Sequence, residues 1–301
     1  MASLGLGFET VAAQPPQPAV GCGVAAEGPR EVARIPFPGE LEALAVDDRG
    51  RMFATDLLNQ YVWRIDRPGA TPVVLATGFR SMGGIVVRPD GKLLVGTGND
   101  PFTGTTGYLK PTAKIYLVDP ETGAKSVFAV ARSANGLAQG PDGAVYASNL
   151  FGNSIARISP SGAVDLDWAR MLTPNGLAVA PDNSALYVAR TVVDGAVTRV
   201  PIGDPAAATN VAETSGLDAA AFPDGLTVDS AGQPVVATHL GGIWRVGADR
   251  TVCVLASGVY LSSNVGYGRG TDGFSAGRLF RVGFDGVVHE IPAGYDPSAT
   301  E

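Results

Sequence analysis

Four residues of this 301-residue chain have the types and the phase to act together: Glu42, Asn135, Asn175 and Asp224. The last three stand in variants of one phrase, Ser133-Ala134-Asn135-Gly136-Leu137-Ala138, Thr173-Pro174-Asn175-Gly176-Leu177-Ala178 and Phe222-Pro223-Asp224-Gly225-Leu226-Thr227. Each sets a short oxygen-bearing side chain before Gly and an apolar run. Asn-Gly and Asp-Gly are also common turn dipeptides, and turn chemistry alone would account for them. Phase argues otherwise. Asp90, Asp142 and Asp182 occupy the turn after an apolar run, whereas Asp224 precedes its run in register with Asn135 and Asn175. If the four converge on one narrow channel, two carboxylates sit among two amides, and like charges at close range raise a carboxylate pKa unless a cation compensates. An all-oxygen shell favours a hard, geometrically tolerant divalent ion, Ca2+ ahead of Mg2+ or Mn2+, with Zn2+ as a remaining candidate.

The elements that must position these residues repeat. Each phrase opens a β-hairpin: an apolar run, a turn such as Gly140-Pro141-Asp142-Gly143 or Ala180-Pro181-Asp182-Asn183, and a second run such as Ala144-Val145-Tyr146-Ala147. Related hairpins begin at Glu42 and Gly84, and Asn264-Val265-Gly266-Tyr267 opens a degenerate sixth copy. Entrances at 42, 84, 135, 175, 224 and 264 give a period of about 40 to 50 residues, that of a four-stranded propeller blade. The fold class predicted is all-β, a six-bladed β-propeller over residues 31–294, between a low-complexity tail (1–30) and a short C-terminal tail (295–301). Val32-Ala33-Arg34-Ile35-Pro36 resembles the outer strand that ends each repeat, and pairing it into the last blade closes the ring and removes a bare sheet edge.

Up-and-down strand order puts the entrances and the connections between second and third strands on one face. Those connections add Asp56, Asn149, Arg190 and His239 as pocket-wall candidates, with Asn264 at the sixth entrance. The longest, Gly96 to Thr112 with Asn99 inside it, is a lid candidate, because long loops are often functional.

A net charge of −7 with scattered acidic and basic residues excludes the basic stripe that nucleic acid requires. No apolar run approaches the ~20 residues of a membrane span. A small-molecule substrate and a monomer are the expected partner and state. Gly273-Phe274-Ser275-Ala276-Gly277 and Gly268-Arg269-Gly270-Thr271-Asp272-Gly273 fit nucleophile-elbow and dinucleotide patterns, but both need a strand before and a helix after, and no helical pattern follows. His289 belongs to an outer strand. Two cysteines make no zinc cluster; Cys22 and Cys253 either form a disulfide that pins the N-terminal segment or remain separate thiols. Ala19-Val20-Gly21-Cys22 resembles a lipoprotein cleavage box, but Gln14, Pro15, Pro16 and Gln17 break the apolar stretch that should precede it; the low-complexity start reads as that of a mature exported protein whose signal is absent, so an extracytoplasmic (secreted or periplasmic) location is expected, with a cytosolic tail as the alternative.

At these residues the chain resembles the SMP-30/gluconolactonase family of six-bladed propellers, which includes sugar lactonases. The likeness runs over about residues 31 to 294. That resemblance implies that Glu42, Asn175 and Asp224 ligate a metal, that Asn135 holds a water on the metal or the substrate, and that Asp224 doubles as catalytic base. The family's Glu-Gly-Pro is Glu42-Ala43-Leu44 here, and the arginine that lactonases place before the blade-three Asn has only Arg132 as a loosely spaced counterpart. The function expected is metal-dependent hydrolysis of a lactone or related ester. The alternatives are a propeller cyclase or isomerase using the same metal, or a non-catalytic ligand-binding propeller.

Overall fold

In the computed structural model, residues 20–22, 28–214 and 220–299 are described. The tail proposed for residues 1–30 lies largely outside them.

The alternating apolar runs become antiparallel strands, gathered into six sheets. Two short strands come first, β1 (Val20–Gly21) and β2 (Arg30–Arg34). Blade one is β3 (Leu41–Val46), β4 (Met52–Asp56), β5 (Tyr61–Ile65) and β6 (Val73–Ala76). Blade two is β7 (Met82–Val87), β8 (Leu93–Thr97), β9 (Ala113–Val118) and β10 (Lys125–Ala131). Blade three is β11 (Leu137–Gln139), β12 (Val145–Ser148), β13 (Ser154–Ile158) and β14 (Val164–Arg170). Blade four is β15 (Pro174–Val179), β16 (Ala185–Arg190), β17 (Ala196–Pro201) and β18 (Thr209–Glu213). Blade five is β19 (Pro223–Val228), β20 (Pro234–Thr238), β21 (Gly242–Val246) and β22 (Val252–Ala256). Blade six is β23 (Ser262–Tyr267), β24 (Leu279–Gly283) and β25 (Val287–Glu290), completed on its outside by β2.

The ring is therefore closed by the N-terminal strand, β2 pairing antiparallel with β25. Leu279–Gly283 is thus the second strand of blade six, β25 the third and β2 the fourth. The glycine-rich stretch 268–277 consequently joins β23 to β24 on the face away from the entrances, and a strand follows it. Neither literal motif in it has the helix it needs.

Six apolar clusters fill the gaps between neighbouring blades, for example Trp63, Phe274 and Phe280 between blades six and one. Burying both faces of each sheet in this way leaves the first strands to line a central channel.

At the rim, β1 adds parallel to β22, and Cys22 is joined to Cys253 by a disulfide with a Cα separation of 5.0 Å. At the other terminus residues 295–299 are not a loose tail: Asp296 accepts from Ser230 N at 2.9 Å, and Ala299 is buried.

Candidate active-site channel

A repeated backbone device aims the entrance residues inward. Ser81, Thr173, Phe222 and Leu261 have φ of 49°, 48°, 52° and 54°, the left-handed region that non-glycine residues avoid. Two residues later comes a register shift: between Pro174 and Leu177, Pro223 and Leu226, Met82 and Ile85, and Ser262 and Asn264. Blade one shifts between Leu41 and Ala43. A β-bulge re-aims the residue it displaces, and the displaced residues are Glu42, Gly83, Asn175, Asp224 and Ser263. In blades two and six the register equivalents are thus Gly83 and Ser263, one position before the expected Gly84 and Asn264.

The glycine of each phrase has a different cause from turn chemistry. Gly136, Gly176 and Gly225 all have ordinary φ. A Cβ on them would lie 2.3 Å from Asn175 O, 2.4 Å from Asp224 O and 2.5 Å from Ser263 O respectively. Each lets one inner strand touch the backbone of the next, which draws the entrance residues together.

These residues line one end of a channel of about 390 Å³ that includes Glu42, Asn135, Asn175, Asp224, Ser263 and Asn264. Glu42 is held from three sides: its Oε1 accepts from Asn99 Nδ2 at 2.9 Å and Asn135 Nδ2 at 3.2 Å, and its Oε2 lies 3.0 Å from Ser263 Oγ. Blade two, whose own entrance is the side-chain-less Gly83, thus contributes Asn99 from its long connection. Asn135 Oδ1 is buried and has no partner. The Thr191 hydroxyl donates its one proton to Pro223 O at 2.6 Å, so it must accept from Asn175 Nδ2 at 2.8 Å. That fixes the Asn175 amide and leaves its carbonyl oxygen as the atom available to a ligand. Asp224 Oδ2 meets His239 Nε2 at 3.1 Å, and the His239 ring lies against Phe284 at 5.3 Å between centroids.

Burial, and then the negative charge of Asp224, push Glu42 up to about 8, against the pull of its hydrogen bonds from Ser263, Asn99 and Asn135. Burial lowers the His239 imidazole, but the hydrogen bond and charge of Asp224 outweigh it and leave its pKa raised. Among the described residues no three His, Cys, Asp or Glu side chains gather at a metal-binding spacing; this set is two carboxylates with neutral amides. Its oxygen donors and the partnerless Asn135 Oδ1 fit a hard cation.

Other expected wall residues are used elsewhere. Asp56 is fully buried and accepts from Glu40 N, Asn59 N, Asn59 Nδ2 and Trp63 Nε1, anchoring the end of β4 rather than facing the channel. Asn149 donates to Gly104 O at 2.9 Å, holding the blade-two excursion. Arg190 is turned to Leu172 O and Val193 O. The excursion contains the helix α1 (Pro101–Thr106), N-capped by Asp100, and it packs on blade three, where Tyr108 Oη bonds Asn153 at 2.6 Å. What the sequence reading missed was Ser263, Thr191 and the contact between His239 and Asp224. A Ser immediately before Asn264 was the one available signal.

Residues 143–255 match the model of the SMP-30/Gluconolactonase/LRE-like region. A gluconolactonase from Zymomonas mobilis is 30% identical over 223 residues, 63% of this chain and 58% of that protein. Residues 143–255 thus resemble the SMP-30/gluconolactonase/LRE-like region. The chain's match spans less than two thirds of the Zymomonas relative's length. Among solved structures, a Xanthomonas campestris gluconolactonase superposes with a TM-score of 0.67 at 20% identity, covering 93% of this chain and 98% of that one. Regucalcin from Agrobacterium tumefaciens, described as a calcium-binding protein, gives a TM-score of 0.63 at 18% identity over 86% and 95%. These two share this chain's overall fold.

Proposed function

We propose that this protein is a metal-dependent hydrolase of a lactone or related ester, working at the ring of Glu42, Asn135, Asn175 and Asp224. The observation that carries it is the buried carboxylate pair, with Glu42 pushed up to about 8 beside the partnerless Asn135 Oδ1. The names of its relatives, gluconolactonase and a calcium-binding regucalcin, support the same reading.

Glu42, Asn175 and Asp224 would hold a divalent ion, Ca2+ first, with Asn135 beside it. When bound, such an ion supplies positive charge to polarise a carbonyl and stabilise a developing oxyanion. Asp224 accepts a proton from the attacking water through the oxygen that His239 leaves free. The water oxygen bonds to the carbonyl carbon, the C–O bond to the alcohol breaks, and the proton passes to the departing oxygen. His239 orients Asp224, while Asn99 and Ser263 hold Glu42 in place. No serine nucleophile takes part. The substrate is a small molecule, the working unit a monomer, and the disulfide suits an extracytoplasmic setting.

A panel of lactones and aryl esters, run with and without chelator, tests this. The expected result is turnover that chelation abolishes and Ca2+ restores. Tight Ca2+ binding with no turnover across the panel would overturn the hydrolase reading in favour of a cyclase, an isomerase or a binder.

A further inference from the structure

We propose that the substrate carries an apolar arm of several carbons, held along the rim of blades four, five and six; this rests on the hydrolase reading of the site. Six large apolar side chains on the mouth-face connections of those blades stand in solvent: Leu172, Val192, Val193, Leu240, Tyr260 and Leu261, with Val192 61%, Tyr260 62% and Leu240 52% exposed. The opposite face of the disc shows only Tyr295 of this kind among the described residues. Apolar groups gathered on one face around a cleft mark a binding surface, whereas scattered ones need no explanation.

The rim is continuous with the chemistry. Leu261 N donates to His239 O at 2.7 Å, and Phe284 N to Leu261 O at 3.0 Å. Phe284 also packs on the His239 ring that meets Asp224. An arm leaving the reacting carbonyl on this side therefore runs from His239 across Phe284 and Leu261 to the outer rim. Polar recognition is scarce along that path. The arginines at the strand ends beside these connections are engaged locally, Arg190 on Leu172 O and Val193 O and Arg170 on Asp167 at 2.9 Å, and Asp285 is held by Arg281 at 2.8 Å. Arg132, across the mouth before blade three, is spent on both oxygens of Asp167 at 2.7 and 2.9 Å and on Leu166 O, and it stacks over Tyr108. A polyol would leave its hydroxyls unpaired here, which is costly. A lipid headgroup surface would call for unpaired basic residues, and Arg170 and Arg190 are already engaged by Asp167 and by Leu172 O and Val193 O.

The test is a γ-lactone series with alkyl side chains of one to eight carbons, assayed in Ca2+. Burying a methylene completely is worth about fourfold in affinity, and a rim covers one side of the chain, so kcat/KM should rise about twofold per methylene. The double variant Val192→Ser with Tyr260→Ser should flatten that slope and leave turnover of the unsubstituted lactone unchanged. A flat series in the unmutated protein while short lactones are hydrolysed, or a slope that survives the double variant, overturns the proposal and leaves the hydrolase reading standing. If no lactone is turned over, it is the hydrolase reading that fails, and calorimetry with the corresponding γ-lactams decides the rim: affinity rising with chain length only in the unmutated protein supports the arm, and flat affinity overturns it. Gains seen only above the lactones' micelle threshold, together with co-sedimentation with phosphatidylcholine vesicles, would make the rim a lipid-docking surface and overturn the proposal as well.

Discussion

Replacing Glu42 with Gln should change how stability depends on pH, and the structure gives the sign and the size. Glu42 is raised from the ordinary value of 4.5 to about 8 in the folded protein. Folding therefore favours its protonated form, and the folded state binds more protons than the unfolded one between those two values. Stability is fully present below the unfolded pKa and is lost as pH rises through the folded one. At 1.36 kcal/mol per pKa unit, about 3 kcal/mol is lost by pH 7 and about 5 kcal/mol by pH 9, as an upper bound. The glutamine keeps the shape and carries no charge, so the variant should lack this component. Urea unfolding in chelator from pH 5 to pH 9, read as the difference between the two proteins, cancels the titrating groups remote from the channel and reads Glu42 together with the Asp224 charge it repels. The unmutated protein should weaken relative to Glu42→Gln as pH rises, and Ca2+ should remove most of that difference by compensating the charge. A difference that stays constant within about 0.5 kcal/mol across this range, well below the ~3 kcal/mol expected, would refute both the repulsion argument and the metal assignment built on it.

Three further outcomes are expected. Asp224→Asn should fold with an unchanged circular dichroism spectrum yet lose about 100-fold or more in kcat, the usual contribution of a general base, together with Ca2+ affinity by calorimetry; full activity would sink the site assignment. Gly176→Ala should lower the melting temperature and weaken Ca2+ binding together, because its Cβ would lie 2.4 Å from the Asp224 carbonyl and must separate two inner strands; a neutral substitution would contradict the close approach. Thiol titration of the denatured, non-reduced protein should find no free thiol, since Cys22 and Cys253 are bridged across 231 positions; the bridge should add about 2 to 4 kcal/mol, and two free thiols per chain would count against it.

Most of the architecture is written locally. Alternating apolar runs and Pro-Asp-Gly turns specify hairpins whatever surrounds them, so the six-fold repeat, the scarcity of helix and the closing role of the strand after residue 30 can be read from sequence alone. The same phase picked out Glu42, Asn135, Asn175 and Asp224, because each copy places its polar residue at one offset from its strand. What sequence could not supply depends on single-residue bulges and on ring closure. A shift of one residue turns a side chain to the other face, so the bulges put Gly83 and Ser263 in the register places expected for Gly84 and Asn264, while Asn264 still lines the channel. Closing the ring brought Ser263 to Glu42 across 221 positions and Asn99 to Glu42 across 57. It also set the Asn-Gly and Asp-Gly glycines against a neighbouring backbone, a use of glycine that in one dimension looks the same as a turn. Local hydrogen bonding then withdrew Asp56 and Arg190 from the channel, while the fold set His239 against Asp224. Sequence determined the repeat and the residues it offers, since those follow from local pattern; tertiary structure decided which of them meet, since that is set by contacts between blades far apart in the chain.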